Sequence, residues 1–288
     1  MLDIIDTLPA FMTYWTKARE LDTEQRIDLW ASEYLSPWPD LLAIQVEDYR
    51  SQGVDWRTIA RTHIFPQLDS RLRSMLTARD HILEALPTVV EQVGSRYGAL
   101  EELLCVIHVG LGCGAGWART FRECPAVLFG LENIAECGWL SVEALRGLIA
   151  HEMGHLLLDH WRRSAGLACG QGSLWQLFEE GFAQQIALQD TGIWHQALGY
   201  EASDWLNWCE VNLQLLAKRY LEFVYQGTPV NAFFGSWSEV EGRSHIGVYL
   251  GCKLIQRLAQ EHSLPEIAEL VDVDDACFVQ LKMMAGGN

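Results

Sequence analysis

The chain has 288 residues, 49% hydrophobic and 20% charged, a balance that supports a sizeable core and excludes a disordered polymer. Its 38 acidic and 21 basic side chains leave a net charge of −17, which repels phosphate backbones and anionic bilayer surfaces. Nucleic acid and membrane are therefore not expected partners. Eight scattered cysteines form no C-x-x-C pair and are expected to be reduced thiols in the cytoplasm. Asp3 and Asp6 precede the first basic residue, Lys17, so no secretory leader is expected.

In chain order, residues 1 to about 98 read as helical. Ile4, Ile5, Leu8, Phe11, Met12 and Trp15 share one helical face. A short helix opens at Thr23, and an amphipathic segment runs from Pro66 to about Tyr97, interrupted or kinked near Pro87. Near residue 100 the texture changes. Leu103–Gly110 and Ala126–Ile134 read as strands. The GLGCGAGW segment between them is a glycine-rich turn and not the G-x-G-x-x-G of a dinucleotide site. After residue 140 the pattern is helical almost to the end. The expected fold is α+β and mostly helical: a helical region over 1–98, then a domain over 99–288 with a small mixed sheet and a central helix.

That central helix carries the chemistry. Residues 151–155 read His-Glu-Met-Gly-His. Ser141 stands where it can cap the helix, Glu143 lies in its first turn, and Arg162 and Arg163 near its last. Histidines four apart project about 40° from one another around a helix, so both His151 and His155 can bind one metal. Glu152 lies about 100° round from His151 and can reach a water without being a ligand.

A third ligand is expected from the next helix, LWQLFEEGFAQQIALQ, where Ser173 and Gln176 make a capping-box signature. The rise from His155 to the loop and back from Ser173 brings Glu180 level with the histidines, at about 1.5 Å per residue. Small Ala183 and Ala187 allow the helices to approach. Glu179 is the rival, pointing about 100° away. His63, His81, His108, His195 and His262 stand alone, and no cysteine has a histidine partner that would make it a nucleophile.

His-Glu-Met-Gly-His followed by Glu-Gly-Phe-Ala resembles the gluzincin metallopeptidases, and among them the poorly characterised bacterial predicted zinc proteases. The resemblance covers about residues 125–190 and a weaker patch at 245–257. It implies a zincin-like domain over 99–288, zinc held by His151, His155 and Glu180, and Glu152 as general base. Gly130-Leu131-Glu132-Asn133 is similar to the segment with which gluzincin aminopeptidases hold a free substrate amine, which implies substrate-binding roles for Glu132 and Asn133. Tyr249 or His245, in Ser244–Gly251, would donate a hydrogen bond to the oxyanion. The interval to Glu180 is longer than in those aminopeptidases, and Glu179 stands where they carry asparagine.

The expected function is a zinc-dependent peptidase acting on a peptide or protein, with aminopeptidase action implied by Glu132. Its substrate would lie extended along an edge strand near 126–133. Two alternatives stand beside it: a regulatory endoprotease specific for one partner, and a non-catalytic protein stapled by zinc. The same ligands also accept manganese, cobalt or nickel.

Overall fold

A computed structural model describes residues 1–98, 100, 102–199 and 204–287. They divide into two compact units, Met1–Pro87 with Leu100–Val142, and Thr88–Ala99 with Glu143–Asn288. This grouping differs from a boundary at residue 98, because the strands after residue 100 fall with the N-terminal segment.

The first unit begins with β1 (Leu2–Asp6), followed by α1 (Leu8–Ala18), α2 (Thr23–Leu29), α3 (Pro39–Ser51) and α4 (Trp56–Ile59). The long α5 (Leu68–Tyr97) comes next, and its residues from Thr88 onward count with the second unit. Three more strands, β2 (Leu103–His108), β3 (Gly116–Phe121) and β4 (Cys124–Gly130), lead into α6 (Leu131–Cys137). The strands form a mixed sheet in the order β1-β2-β4-β3. β1, β2 and β4 run parallel, and β3 is antiparallel to β4.

β2 is buried at every position, as expected of a parallel strand covered on both faces. Phe11, Trp15, Trp30, Tyr34 and Phe65 pack beside the sheet as a ring cluster. The cluster is tied to the end of β2 by polar bonds. The Trp30 indole N–H donates to the Val109 carbonyl at 3.1 Å, and the Tyr34 hydroxyl accepts from the Val109 amide at 3.0 Å.

Five expectations about this unit need correction. Ile4 and Ile5 belong to a strand, not to the first helix, which starts at Leu8. Residues 131–134 are helical, so Glu132 and Asn133 stand on α6 just past β4. The glycine-rich segment ends in a strand of its own, β3. Because β4 is paired on both sides, it is not an edge onto which a substrate could add; β1 and β3 are the edges. Pro87, meanwhile, does not interrupt α5, since its missing N–H removes only one helical bond.

The second unit is built from α7 (Val142–Ser164), α8 (Ser173–Thr191), α9 (Trp205–Val211), α10 (Leu213–Gln226), α11 (Ile246–Leu258), α12 (Leu264–Ala268) and α13 (Val273–Met284). α7 starts directly after Ser141 and carries Glu143 in its first turn and Arg162 and Arg163 in its last, so its ends suit the helix dipole. α8 starts at Ser173, one residue earlier than a Ser173 cap would place it. Gly172, at φ 92°, is the residue before it, and the expected capping box does not form. Among the described residues, no helix is long and apolar enough to cross a membrane.

Candidate metal centre

Three helices meet in the second unit through glycines. Gly154, between the two histidines, faces the α8 backbone: a Cβ there would lie 2.6 Å from Ala183 Cα. On its other side α8 presents Gly181 to the backbone of Gly251 on α11, again with no room for a methyl group. α7 and α8 run antiparallel, with Arg162 over the Trp175 ring at one level and Gly154 against Ala183 at another. This close approach brings a carboxylate from α8 to the histidine pair on α7.

Glu180 is that carboxylate. His151, His155 and Glu180 offer ligand atoms that all lie within 4.8 Å of one another. His151 Nε2 and His155 Nε2 are 3.2 Å apart, and the Glu180 oxygens lie 3.3 Å from the first and 3.8 Å from the second. Zinc–ligand bonds of about 2.0–2.1 Å in a tetrahedron put neighbouring ligand atoms about 3.3 Å apart. The His151–His155 and His151–Glu180 spacings are close to such an edge, the 3.8 Å from His155 to the other Glu180 oxygen is longer, and two imidazoles with one carboxylate suit a borderline divalent cation. Glu179 is not part of this group. Its Oε2 accepts from the Trp175 indole at 2.7 Å.

The electrostatics of the cluster follow from burial and mutual charge. Burial pulls the His151 imidazole down, but the hydrogen bond and charge of Glu180, with the charge of Glu152, outweigh it and raise its pKa. Burial lowers His155 to about 4, which leaves its lone pair free at neutral pH. Burial acts to raise Glu180, yet its bond to His151 and the charges of His155, His151 and His245 win and lower it. Glu179 is raised to about 7 by burial and by Glu180. Glu152 is 5% exposed on the same helix, close enough for its charge to act on His151.

Of the two oxyanion candidates, His245 is the one coupled to the cluster. Burial lowers it to about 4, with Glu180 and His151 as its charged neighbours. It precedes α11 with a left-handed backbone, φ 58°, a conformation histidine tolerates better than most residues but still at a cost. The preceding Ser244 carbonyl accepts from the Trp205 indole at 2.9 Å and anchors the turn. Tyr249 lies one helical turn further along. Its ring packs against Trp194 and Trp205, and its hydroxyl is buried without a hydrogen bond.

Two residues join the site that sequence reasoning did not assign to it. The buried His195 ring stands 5.4 Å from His151, centroid to centroid. It lies on a short 3-10 turn, His195–Leu198, and no local pattern marks it. Gln184 is fully buried, its amide donating to the Ile193 carbonyl and its oxygen accepting from Gln196, both at 3.1 Å. It acts on His151, although His151 Nδ1 is buried with no formed hydrogen bond. Its place four residues past Glu180 puts it on the same helical face, a signal the sequence did contain.

Glu132 and Asn133 lie in the first unit. The Glu132 oxygens accept from the Gly110 amide at 2.7 Å and the Gly112 amide at 2.9 Å, holding the glycine-rich loop. Asn133 donates to Glu136 at 3.0 Å. No family model, curated protein or solved structure matches the chain.

Proposed function

We propose that the chain is a zinc-dependent peptidase. The observation that supports this most is the convergence of His151, His155 and Glu180, whose ligand atoms lie within 4.8 Å of one another, with Glu152 beside them as a carboxylate outside the ligand set. Zinc bound there would polarise the scissile carbonyl and lower the pKa of a water towards about 7. Glu152 takes a proton from the attacking water and returns it to the leaving amine. His245 donates a hydrogen bond to the oxyanion that develops on the substrate carbonyl. Gln184 and His195 lie against His151 on the buried side of the cluster. The net charge of −17 disfavours nucleic acid as a substrate. The glutamate that aminopeptidase action would use, Glu132, already has both oxygens on backbone amides, so peptidase activity is proposed without assigning it to chain ends.

The test is a Glu152→Gln variant assayed for zinc content and for hydrolysis of a peptide library, free and N-acetylated. The expected result is full zinc occupancy with turnover reduced roughly 10²- to 10⁴-fold, the usual worth of a general base. A wild-type protein that binds zinc stoichiometrically and hydrolyses nothing would instead make the metal a structural staple.

A further inference from the structure

A cavity in the same unit is lined by Glu179, the chain neighbour of Glu180. It has a volume of about 500 Å³, within the range of sites that take small ligands or side chains. Cys169, Ser173, Trp175, Gln176, Glu179 and Asn231 are among the residues that line it. Its walls are fixed. The Trp175 ring rests on Gly170, where a methyl group would collide with the indole, and the Tyr220 hydroxyl holds the Ser173 carbonyl at 2.6 Å.

Glu179 is the charged group in the lining. Its Oε2 is pinned by the Trp175 indole at 2.7 Å, and its other oxygen has no hydrogen-bond partner among the described residues. Glu179 also makes no ion pair there. Arg162, a cation close to this wall, lies over the Trp175 ring at 4.9 Å and donates to the carbonyls of Ala168, Ala268 and Leu270. A half-buried carboxylate, oriented on one side and open on the other, faces a cavity with no cation of the protein to meet it. The Trp175 ring itself is already covered by Arg162 and Gly170, so the open carboxylate oxygen is what suits a cationic side chain.

We propose that this cavity binds the cationic side chain of an arginine or lysine in a peptide, with Glu179 as its anion. Naming the ligand as part of a peptide rests on the peptidase reading; the recognition of a cation does not. Glu179 and Glu180 are consecutive on α8, so one turn of that helix supplies both a metal ligand and a specificity residue on faces about 100° apart. A peptide whose basic side chain fills the cavity would be selected over a neutral one.

The experiment measures binding before activity. N-acetyl-arginine amide and N-acetyl-norleucine amide are titrated by calorimetry into the full chain at pH 8, with and without a chelator. The arginine probe is expected to bind at least tenfold tighter than the norleucine probe, with or without chelator. Glu179→Gln should remove that preference. Asn231→Trp, at an exposed position on the rim, should block both probes and carries the test if Glu179→Gln does not fold. Equal binding of the two probes to wild type, or an arginine preference that survives both variants, overturns the proposal. In a parallel assay, peptides with arginine or lysine should be cleaved faster than norleucine analogues. If nothing is cleaved but the arginine probe binds as expected, the peptidase reading falls and the cation site stands.

Discussion

Glu179 and Glu180 are neighbours in the chain with unlike surroundings. Glu180 meets two imidazoles and is held as a carboxylate, whereas Glu179 meets an indole N–H and a cavity. One residue of offset on a helix turns the side chain by about 100°, enough to separate two roles. The same geometry places Gln184 one turn past Glu180. Groups behind metal-ligating histidines orient the ring, and losing one costs roughly 10- to 100-fold in metal affinity. Gln184→Ala should therefore weaken zinc binding by about that factor in a competition titration with a chelating dye, while circular dichroism remains that of the wild type. Unchanged affinity would leave Gln184 a packing residue only.

Among the elements, α7, α8 and α11 matter most, and their contacts are made by backbone. Gly154 meets Ala183, and Gly181 meets Gly251, so neither junction has a flexible side chain that can give way. An added methyl must push helices apart, and forced overpacking of this kind costs about 1–3 kcal/mol. Gly154→Ala and Gly181→Ala should each lower the urea midpoint accordingly. They should also weaken zinc binding, because widening the helix gap withdraws Glu180 from the histidines. A variant that loses stability but keeps wild-type zinc affinity would show that the cluster tolerates a looser junction. β1 provides a contrast. It is a strand because β2 offers it a parallel partner about a hundred residues away, with Leu2 opposite Leu103 and Asp6 opposite Ile107.

For the whole molecule, the acid limb of stability should carry a histidine signature. His108 ends β2, is 4% exposed, and is lowered by burial to about 4 from an ordinary 6.5. Between those values the unfolded chain takes up a proton that the folded chain refuses, so stability falls as pH drops through that window. The limit is about 3 kcal/mol, at roughly 1.4 kcal/mol per pH unit. Urea titrations of wild type and His108→Gln from pH 7 to 4 should show a shallower decline in the variant. Parallel slopes would mean that other groups dominate the acid response.

The helix with its histidine pair could be read directly from the chain, because a spacing of four places two histidines on one face whatever surrounds the helix. Glu180 could be reached by counting rise, since the loop between α7 and α8 is short and the helices return on each other. The split into helical body and small mixed sheet was also legible, from β-branched runs bounded by glycine and proline. Local pattern could not reveal β1 or β3. Ile4 and Ile5 fit a helical face as well as a strand, and the pairing that decides between them lies far along the chain. Nor could it rank His245 against Tyr249, bring His195 to His151, or show that Glu132 spends its carboxylate on the Gly110 and Gly112 amides. Periodicity reports which residues share a face of one element. Which side chain meets which partner depends on how separate elements pack, and that is a property of the assembled fold.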